Sequence, residues 1–172
     1  MRHSTVFPAA RVTLRVLIVL NGILGALIFA LLAISFLAQE WTWRALGVGA
    51  VAGHEGVGAG MRAIMVIGIL ATPIAYVVLS RLLRIVESVR TGEPFTMDNA
   101  MRLRTIAWAL LGLELLHICV VGIASAVSTK QVPLRINANF HPIGWLAILL
   151  LFVLAEVFVE GTRMREDLEG VV

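Results

Sequence analysis

The sequence has few of the residues on which soluble catalytic domains depend. Only 15% of its residues are charged and 59% are hydrophobic, whereas a typical soluble domain has about 25% charged residues. The single cysteine, Cys119, lies inside an apolar run, which excludes a disulfide framework and a multi-thiolate metal site. No motif for a nucleophilic serine, a phosphate-binding loop or a zinc site is present. We therefore expect no catalytic residue, no cofactor and no metal, and we predict that the protein is not an enzyme.

Acidic residues are also in the minority, but the excess of basic residues does not indicate a nucleic-acid-binding protein. The formal net charge is +3. The arginines flank apolar runs and do not form a stripe on a polar domain, so membrane topology explains them better than direct nucleic-acid binding. We expect membrane lipid, and not nucleic acid, to surround most of this chain.

The sequence is dominated by four long apolar runs. They cover residues 14–38, 61–80, 106–127 and 143–159. At about 1.5 Å per residue, such helices are about long enough to cross a ~30 Å hydrocarbon core. The first run is roughly twice as long as the apolar part of a secretory signal, so we interpret it as a retained helix. The predicted fold is all-α: a single domain over residues 1–172 that forms an integral membrane four-helix bundle.

The distribution of arginine and lysine predicts the orientation of the spans. Most of these residues lie before the first span, between the second and third spans, and after the fourth span. They are Arg2, Arg11, Arg15, Arg81, Arg84, Arg90, Arg102, Arg104, Arg163 and Arg165. Because basic residues are enriched in cytoplasmic segments, we predict a multi-pass protein with both termini and the central connection in the cytoplasm.

The central connection, residues 81–105, continues the helical pattern of the second span past Ser80. Gly92 and Pro94 are expected to end this helix, and Thr96 has the position of an N-cap for the next one. We predict a helical extension in the cytoplasm. It is suited either to docking a protein partner or to lying on anionic lipid headgroups.

The two outer connections contain little that indicates a site. The first, residues 39–60, is rich in glycine and is expected to form a loosely packed loop. His54 and His141 lie one in each connection, and isolated loop histidines are more often solvated than metal-bound.

Small residues recur at four-residue spacing on two spans. Gly22, Ala26 and Ala30 form such a stripe on the first span, and Gly122 with Ala126 repeats it on the third. Stripes of this kind allow helix backbones to approach closely, so we expect helix packing at these positions.

Four polar residues within the spans form a candidate intramembrane polar cluster: Asn21, Glu114, His117 and Glu156. An ionisable group in a span costs about 2.5–3.5 kcal/mol on insertion scales, so such groups normally face other helices and find partners. One hypothesis is a proton or cation relay, and the other is a structural cluster that holds the helices in register. We favour the structural role, because the outer half of the spans offers no further polar partners.

Two segments resemble a known family. Gly92-Glu-Pro-Phe-Thr-Met-Asp-Asn-Ala-Met-Arg-Leu-Arg resembles the "G-x-P-F … N … R-L-R" signature of an uncharacterised bacterial membrane family, domain of unknown function 2975. Ala155-Glu-Val-Phe-Val-Glu-Gly-Thr-Arg-Met-Arg-Glu-Asp resembles the family's closing "A-E-x-F-x-x-G … L-R-E-D/E" segment.

The resemblance implies a small four-helix protein of the bacterial cytoplasmic (inner) membrane, without an established activity and often encoded beside a small helix-turn-helix regulator. It directs attention to a candidate cytoplasmic partner surface, formed by Gly92, Pro94, Phe95, Asn99, Arg102, Arg104, Phe158 and Gly161. We therefore expect an interaction or sensory/regulatory protein that docks a cytoplasmic partner such as this regulator. The alternatives are a small transporter or channel subunit and an accessory subunit of a larger membrane complex. The sequence leaves homo- or hetero-oligomerisation open.

Overall fold

The computed structural model describes residues 6–45, 56–90, 95–128 and 142–169 of the chain, and these residues form helices without any strand. Four helices are long and one is short. In chain order they are α1 (Val6–Leu37), α2 (Gln39–Ala45), α3 (Val57–Arg90), α4 (Met97–Val127) and α5 (Pro142–Glu169). The predicted all-α class is confirmed for the part of the chain that is described.

The four long helices have the length and the surface of transmembrane helices. They contain 32, 34, 31 and 28 residues, more than the about 20 that crossing a membrane requires. Their outward side chains are largely apolar: Leu27, Leu70 and Leu149 are all more than half exposed. A helix in lipid satisfies its backbone polar groups internally and tolerates such a surface. The chain is therefore a multi-pass membrane protein with four apolar spans.

The helices extend beyond the predicted spans. α3 passes through Pro73 without ending and continues past Ser80 to Arg90, as the apolar pattern of the central connection predicted. The location of this extension in the cytoplasm stays a prediction. The predicted loop at residues 39–60 is wrong at both ends, because α2 begins directly after α1 and α3 already begins at Val57. Residues 46–55 of that connection, with His54, and residues 129–141, with His141, lie outside the described residues.

Contacts divide the chain into two compact units. The first unit comprises Met1–Leu20, Ile74–Gly112 and His141–Val172, and the second unit comprises Asn21–Pro73 and Leu113–Phe140. Each long helix except α5 contributes to both units.

The second unit packs through glycines that bring a neighbouring side chain against the helix backbone. A Cβ added at Gly25 would lie 2.6 Å from Thr72 Cγ2, and one added at Gly60 would overlap Val127. Gly68 lies against Ile28 in the same way, at an ordinary contact distance. Ile28 also packs against the buried Met65. Close approach at these glycines is thus what joins α1, α3 and α4 in this unit.

The small-residue stripes expected from the sequence are not these contact positions. A Cβ added at Gly22 or at Gly122 meets nothing within 4 Å in the described part of the chain, and Ala26 and Ala30 are exposed. The four-residue spacing identified small faces correctly, but spacing alone does not show which face meets a neighbouring helix. In the second unit, helix packing uses Gly25, Gly60 and Gly68 instead.

Candidate partner surface

The beginning of α4 is fixed by a cap and by a buried amide. Asn99 N–H donates to Thr96 Oγ1 at 3.3 Å, so the predicted N-cap is confirmed. The Asn99 side chain is fully buried, and its Nδ2 donates to Ser88 Oγ of α3 at 2.6 Å. Ser88 in turn donates to the Ile85 carbonyl at 2.8 Å. Asn99 therefore ties the start of α4 to the end of α3.

Arg102 completes this network from the next turn of α4. Its Nη1 donates to Asn99 Oδ1 at 2.8 Å, and its Nη2 contacts Asp98 Oδ2 at 3.4 Å. Both polar ends of the Asn99 amide thus have a partner, as a buried amide requires. Part of the Arg102 guanidinium is directed inward and is occupied by the protein itself.

An aromatic contact joins the same region to α5. The rings of Phe95 and Phe158 have centroids 5.1 Å apart and are tilted by 39°, a favourable geometry for an aromatic pair. A Cβ added at Gly161 would lie 3.4 Å from Phe95 Cδ1, so the glycine gives the ring room beside α5. Thr162, next to this glycine, is also buried. We call Phe95, Asn99, Arg102, Phe158 and Gly161, together with Ser88, the clasp.

The predicted partner surface therefore has two kinds of residue. The clasp residues form two contacting sets within the first unit, Ser88–Asn99–Arg102 and Phe95–Phe158–Gly161. Asn99 has no surface left for a partner, whereas Phe95 is 47% exposed. Arg104 is exposed and forms no hydrogen bond or ion pair within the described chain. Gly92 and Pro94 lie outside the described residues.

An exposed stripe on α4 was missed by the sequence reasoning. Met97 and Met101 are 44% and 56% exposed, and Trp108 is 59% exposed. Together with Arg104 these residues are spaced four, three and four apart, so they share one helix face. The signal was present in the sequence as two methionines at helical spacing beside Arg104, and methionine side chains are suited to adaptable binding surfaces. We call Met97, Met101 and Arg104 the methionine stripe.

One member of the candidate intramembrane polar cluster has a partner. Asn21 Nδ2 of α1 donates to the Thr72 carbonyl of α3 at 3.0 Å, and Thr72 Oγ1 donates to the Gly68 carbonyl at 3.1 Å. This contact lies one turn from Gly25, which packs against Thr72. Asn21 thus joins α1 to α3 in the second unit.

The other three members have no such partner in the described part of the chain. Glu114 is half-buried and His117 is exposed, both in the second unit, whereas Glu156 is exposed in the first unit. No hydrogen bond or ion pair within the described ranges involves any of the three. Their predicted role, relay or structural cluster, stays a prediction. Across the described ranges, no group of three or more His, Cys, Asp or Glu is placed to hold a metal ion.

Comparison with known proteins identifies the family but no function. The model of the family described as "Protein of unknown function (DUF2975)" matches residues 4–172. No curated protein and no solved structure matches the chain. The family match covers almost the entire sequence, including both segments on which the resemblance was based. The chain belongs to this family of unknown function.

Proposed function

We propose that the protein is a membrane-anchored interaction or regulatory protein that docks a soluble cytoplasmic protein on the methionine stripe. It would act in the bacterial cytoplasmic membrane with both termini and the α3–α4 connection inside, as the arginine distribution predicts. In this role it has no enzymatic activity. The partner class implied by the family resemblance is a small helix-turn-helix regulator.

The observation that carries the proposal is the contrast between the clasp and the methionine stripe on the same turns of α4. Asn99 is 0% exposed and Met101 is 56% exposed, two residues later. The clasp orders the backbone at the start of α4, so the stripe presents its side chains from a fixed position. Ordered anchors lose less conformational entropy on binding than anchors on a flexible loop.

The chemistry of the stripe defines the partner. Two exposed methionines fit an apolar patch, and Arg104 without an ion pair fits an acidic residue beside that patch. The Arg102–Asp98 contact at 3.4 Å leaves Arg104 as the cation offered on this face. A regulator retained at the membrane by such a surface would be kept away from DNA until it is released.

Photo-cross-linking tests the proposal in the intact membrane. The chain carrying a photoreactive residue at Met101 is co-expressed with the products of the neighbouring genes and irradiated before extraction. We expect a covalent adduct with a helix-turn-helix protein. The matched control carries the same probe at Leu82 of α3, which is 39% exposed and outside the stripe, and it should give no such adduct.

Two results would contradict the proposal. One is that the Met101 probe reacts with lipid and with no protein while the neighbouring gene products are present. The other concerns the partner that the cross-linking identifies. If the variant Met97→Ser/Met101→Ser, without the probe, co-purifies with that partner in mild detergent as well as the parent protein does, the stripe is not the docking surface. A reporter fused after residue 172 that is active only outside the cytoplasm would overturn the orientation.

A second candidate, an accessory subunit of a larger membrane complex, is favoured by a different observation. His117 and Glu156 lie within candidate spans yet are exposed on the chain's own surface. Ionisable groups facing lipid are costly, so a neighbouring subunit that covers them would stabilise the assembly. Mass measurement of the complex extracted in mild detergent tests this: a larger species that dissociates in the Glu156→Leu variant is expected, and a monomer would exclude this candidate.

A further inference from the structure

A groove lies between α1 and α3 within the first unit. Its volume is about 390 Å³, within the usual range of small-molecule sites. The polar lining consists of Arg11, Arg15 and Arg90 with Glu87, and the apolar lining consists of Pro8, Val12 and Val86. We call it the arginine groove.

The charges of the arginine groove are not balanced by the residues that the structure describes. Arg11 Nη2 pairs with Glu87 Oε1 at 3.0 Å, so one carboxylate faces three guanidinium groups. Arg15 and Arg90 are exposed and form no ion pair in the described part of the chain. In addition, Arg11 Nε is buried and has no hydrogen-bond partner. Among the described residues, the groove therefore carries an excess of positive charge.

The lining of the groove has apolar residues next to its charged ones. Val12 is 62% exposed and follows the groove along α1 toward the apolar part of the span. Arg11 and Arg15 lie near the beginning of that span, which starts at Pro8, and Arg90 lies at the end of α3. Arginines at span ends extend toward the headgroup layer while their aliphatic parts remain in the apolar region. A ligand that matches the groove has an anionic head and an apolar tail.

We propose that the arginine groove is a binding site for an anionic membrane phospholipid. The phosphate accepts hydrogen bonds from Arg15 and Arg90, because guanidinium groups match phosphate geometry. An acyl chain lies along Val12 and continues into the bilayer. Basic pockets between transmembrane helices at a membrane surface are suited to such headgroups. This site is independent of the methionine stripe and of any soluble partner.

Native mass spectrometry of the delipidated full-length chain tests the site. The protein in detergent is titrated with phosphatidylglycerol, or with phosphatidylethanolamine as the zwitterionic probe. We expect preferential binding of phosphatidylglycerol and a loss of about tenfold in its affinity in the variant Arg15→Gln/Arg90→Gln. The matched control is Arg84→Gln/Arg163→Gln, which removes the same charge from two exposed arginines of the first unit outside both the groove and the methionine stripe. Its affinity should change less than twofold.

Glu87→Gln provides a readout with the opposite sign. It removes the only acidic side chain of the lining, so phosphatidylglycerol should bind more tightly than to the parent protein. Opposite changes in the two variants cannot both arise from misfolding, and circular dichroism confirms that the helices are retained.

Three results would overturn the proposal. Equal losses in the groove variant and in the matched control would show that only net charge matters. Equal affinity for the two lipids would exclude recognition of an anionic head. Displacement of the lipid by millimolar inorganic phosphate would assign the groove to a soluble anion.

Discussion

The helices within the first unit and the helices within the second unit are joined by different sets of contacts. In the first unit, directional side-chain contacts join the helices: the Asn99–Ser88 hydrogen bond, the Arg11–Glu87 ion pair and the Phe95–Phe158 ring pair. In the second unit, α1, α3 and α4 approach closely at Gly25 and Gly60. Hydrogen bonds between helices are present there as well: Asn21 donates to the Thr72 carbonyl, and Arg62 donates to the Ser35 carbonyl and to Gln39 Oε1.

The difference shows where helix pairing is specified by the sequence. A close contact at a glycine depends only on the shape of the two helix surfaces. Another helix face made of small residues has a similar shape, so such a contact does not select one partner face. A buried amide depends on the identity of its partner, since an unpaired amide costs more than a paired one contributes. The two segments that resemble the family signature contribute most of the clasp and lie in the first unit, so they mark the part of the molecule where pairing is most specific.

The largest expected effect follows from removing the amide of the clasp. Asn99→Leu keeps the approximate size of the buried side chain but leaves Ser88 Oγ without its donor and Arg102 Nη1 without its acceptor. We expect a decrease of about 2–3 kcal/mol in the free energy of unfolding. Reversible unfolding by SDS in mixed micelles, followed by circular dichroism, measures this value.

Met101→Leu, an exposed change two residues away, serves as the control and should alter the same free energy by less than about 0.5 kcal/mol. Similar values for the two variants would mean that the clasp does not specify the first unit, and the contrast between the units would be lost.

A smaller effect is expected from glycine substitutions in the second unit. Gly25→Ala places a Cβ 2.6 Å from Thr72 Cγ2, and Thr72 is held by its own hydrogen bond to the Gly68 carbonyl. We expect a loss of about 1–2 kcal/mol from overpacking. Gly22→Ala, three residues earlier on α1, meets nothing within 4 Å and should be neutral or stabilising by up to about 1 kcal/mol.

Thr72→Ser tests the cause of the Gly25 effect, because it removes Cγ2 and keeps the hydroxyl. Gly25→Ala should cost less in that background, where only the contacts of the added Cβ with Oγ1 at 3.0 Å and with Cβ at 3.2 Å remain. If Gly22→Ala destabilises as much as Gly25→Ala, α1 packs through the predicted small-residue stripe and the assignment of Gly25 is wrong.

Much of the fold was predictable from the sequence because the requirements for crossing a lipid bilayer are few. Each span must be long, apolar and helical, so the four runs and the helical continuation past Ser80 were evident from composition and spacing. The Thr96 cap was predictable for a similar reason, since capping depends on residues close in sequence.

The partners of individual side chains were not predictable, because they depend on how helices are rotated about their axes. In the sequence, Asn99 resembles a surface residue of a polar connection. In the structure its side chain is buried and donates a hydrogen bond to Ser88, 11 positions earlier. Gly22 and Gly25 are both glycines of α1. They differ only in that Gly25 lies against the Thr72 side chain and Gly22 lies against no side chain in the described part of the chain. Glu114 and His117 are three apart on one helix, as predicted, but that spacing does not supply a partner on another helix.

Arg62 offers a test of whether the second unit also depends on a directional contact. Its Nη2 donates to the Ser35 carbonyl at 2.8 Å and to Gln39 Oε1 at 3.2 Å, near the end of α1, where cations are favoured. Arg62→Gln should lower the free energy of unfolding by about 1 kcal/mol. Arg44→Gln, which removes an exposed pair within α2, should cost no more than about 0.5 kcal/mol. A loss for Arg62→Gln as large as for Asn99→Leu would show that the second unit is also specified by a polar contact.

The smallest expected effect concerns the Arg11–Glu87 pair, whose side chains are 36% and 40% exposed. A double-mutant cycle with Arg11→Gln and Glu87→Gln should give a coupling of about 0.2–1 kcal/mol, because solvent weakens the attraction. Raising the salt concentration should reduce it further. The Glu40–Arg44 pair, 89% and 75% exposed respectively, provides the reference and should give a weaker coupling. If the Arg11–Glu87 coupling is no stronger than this reference, the ion pair adds nothing specific to the first unit, and its specificity would reside in the amide and the rings of the clasp.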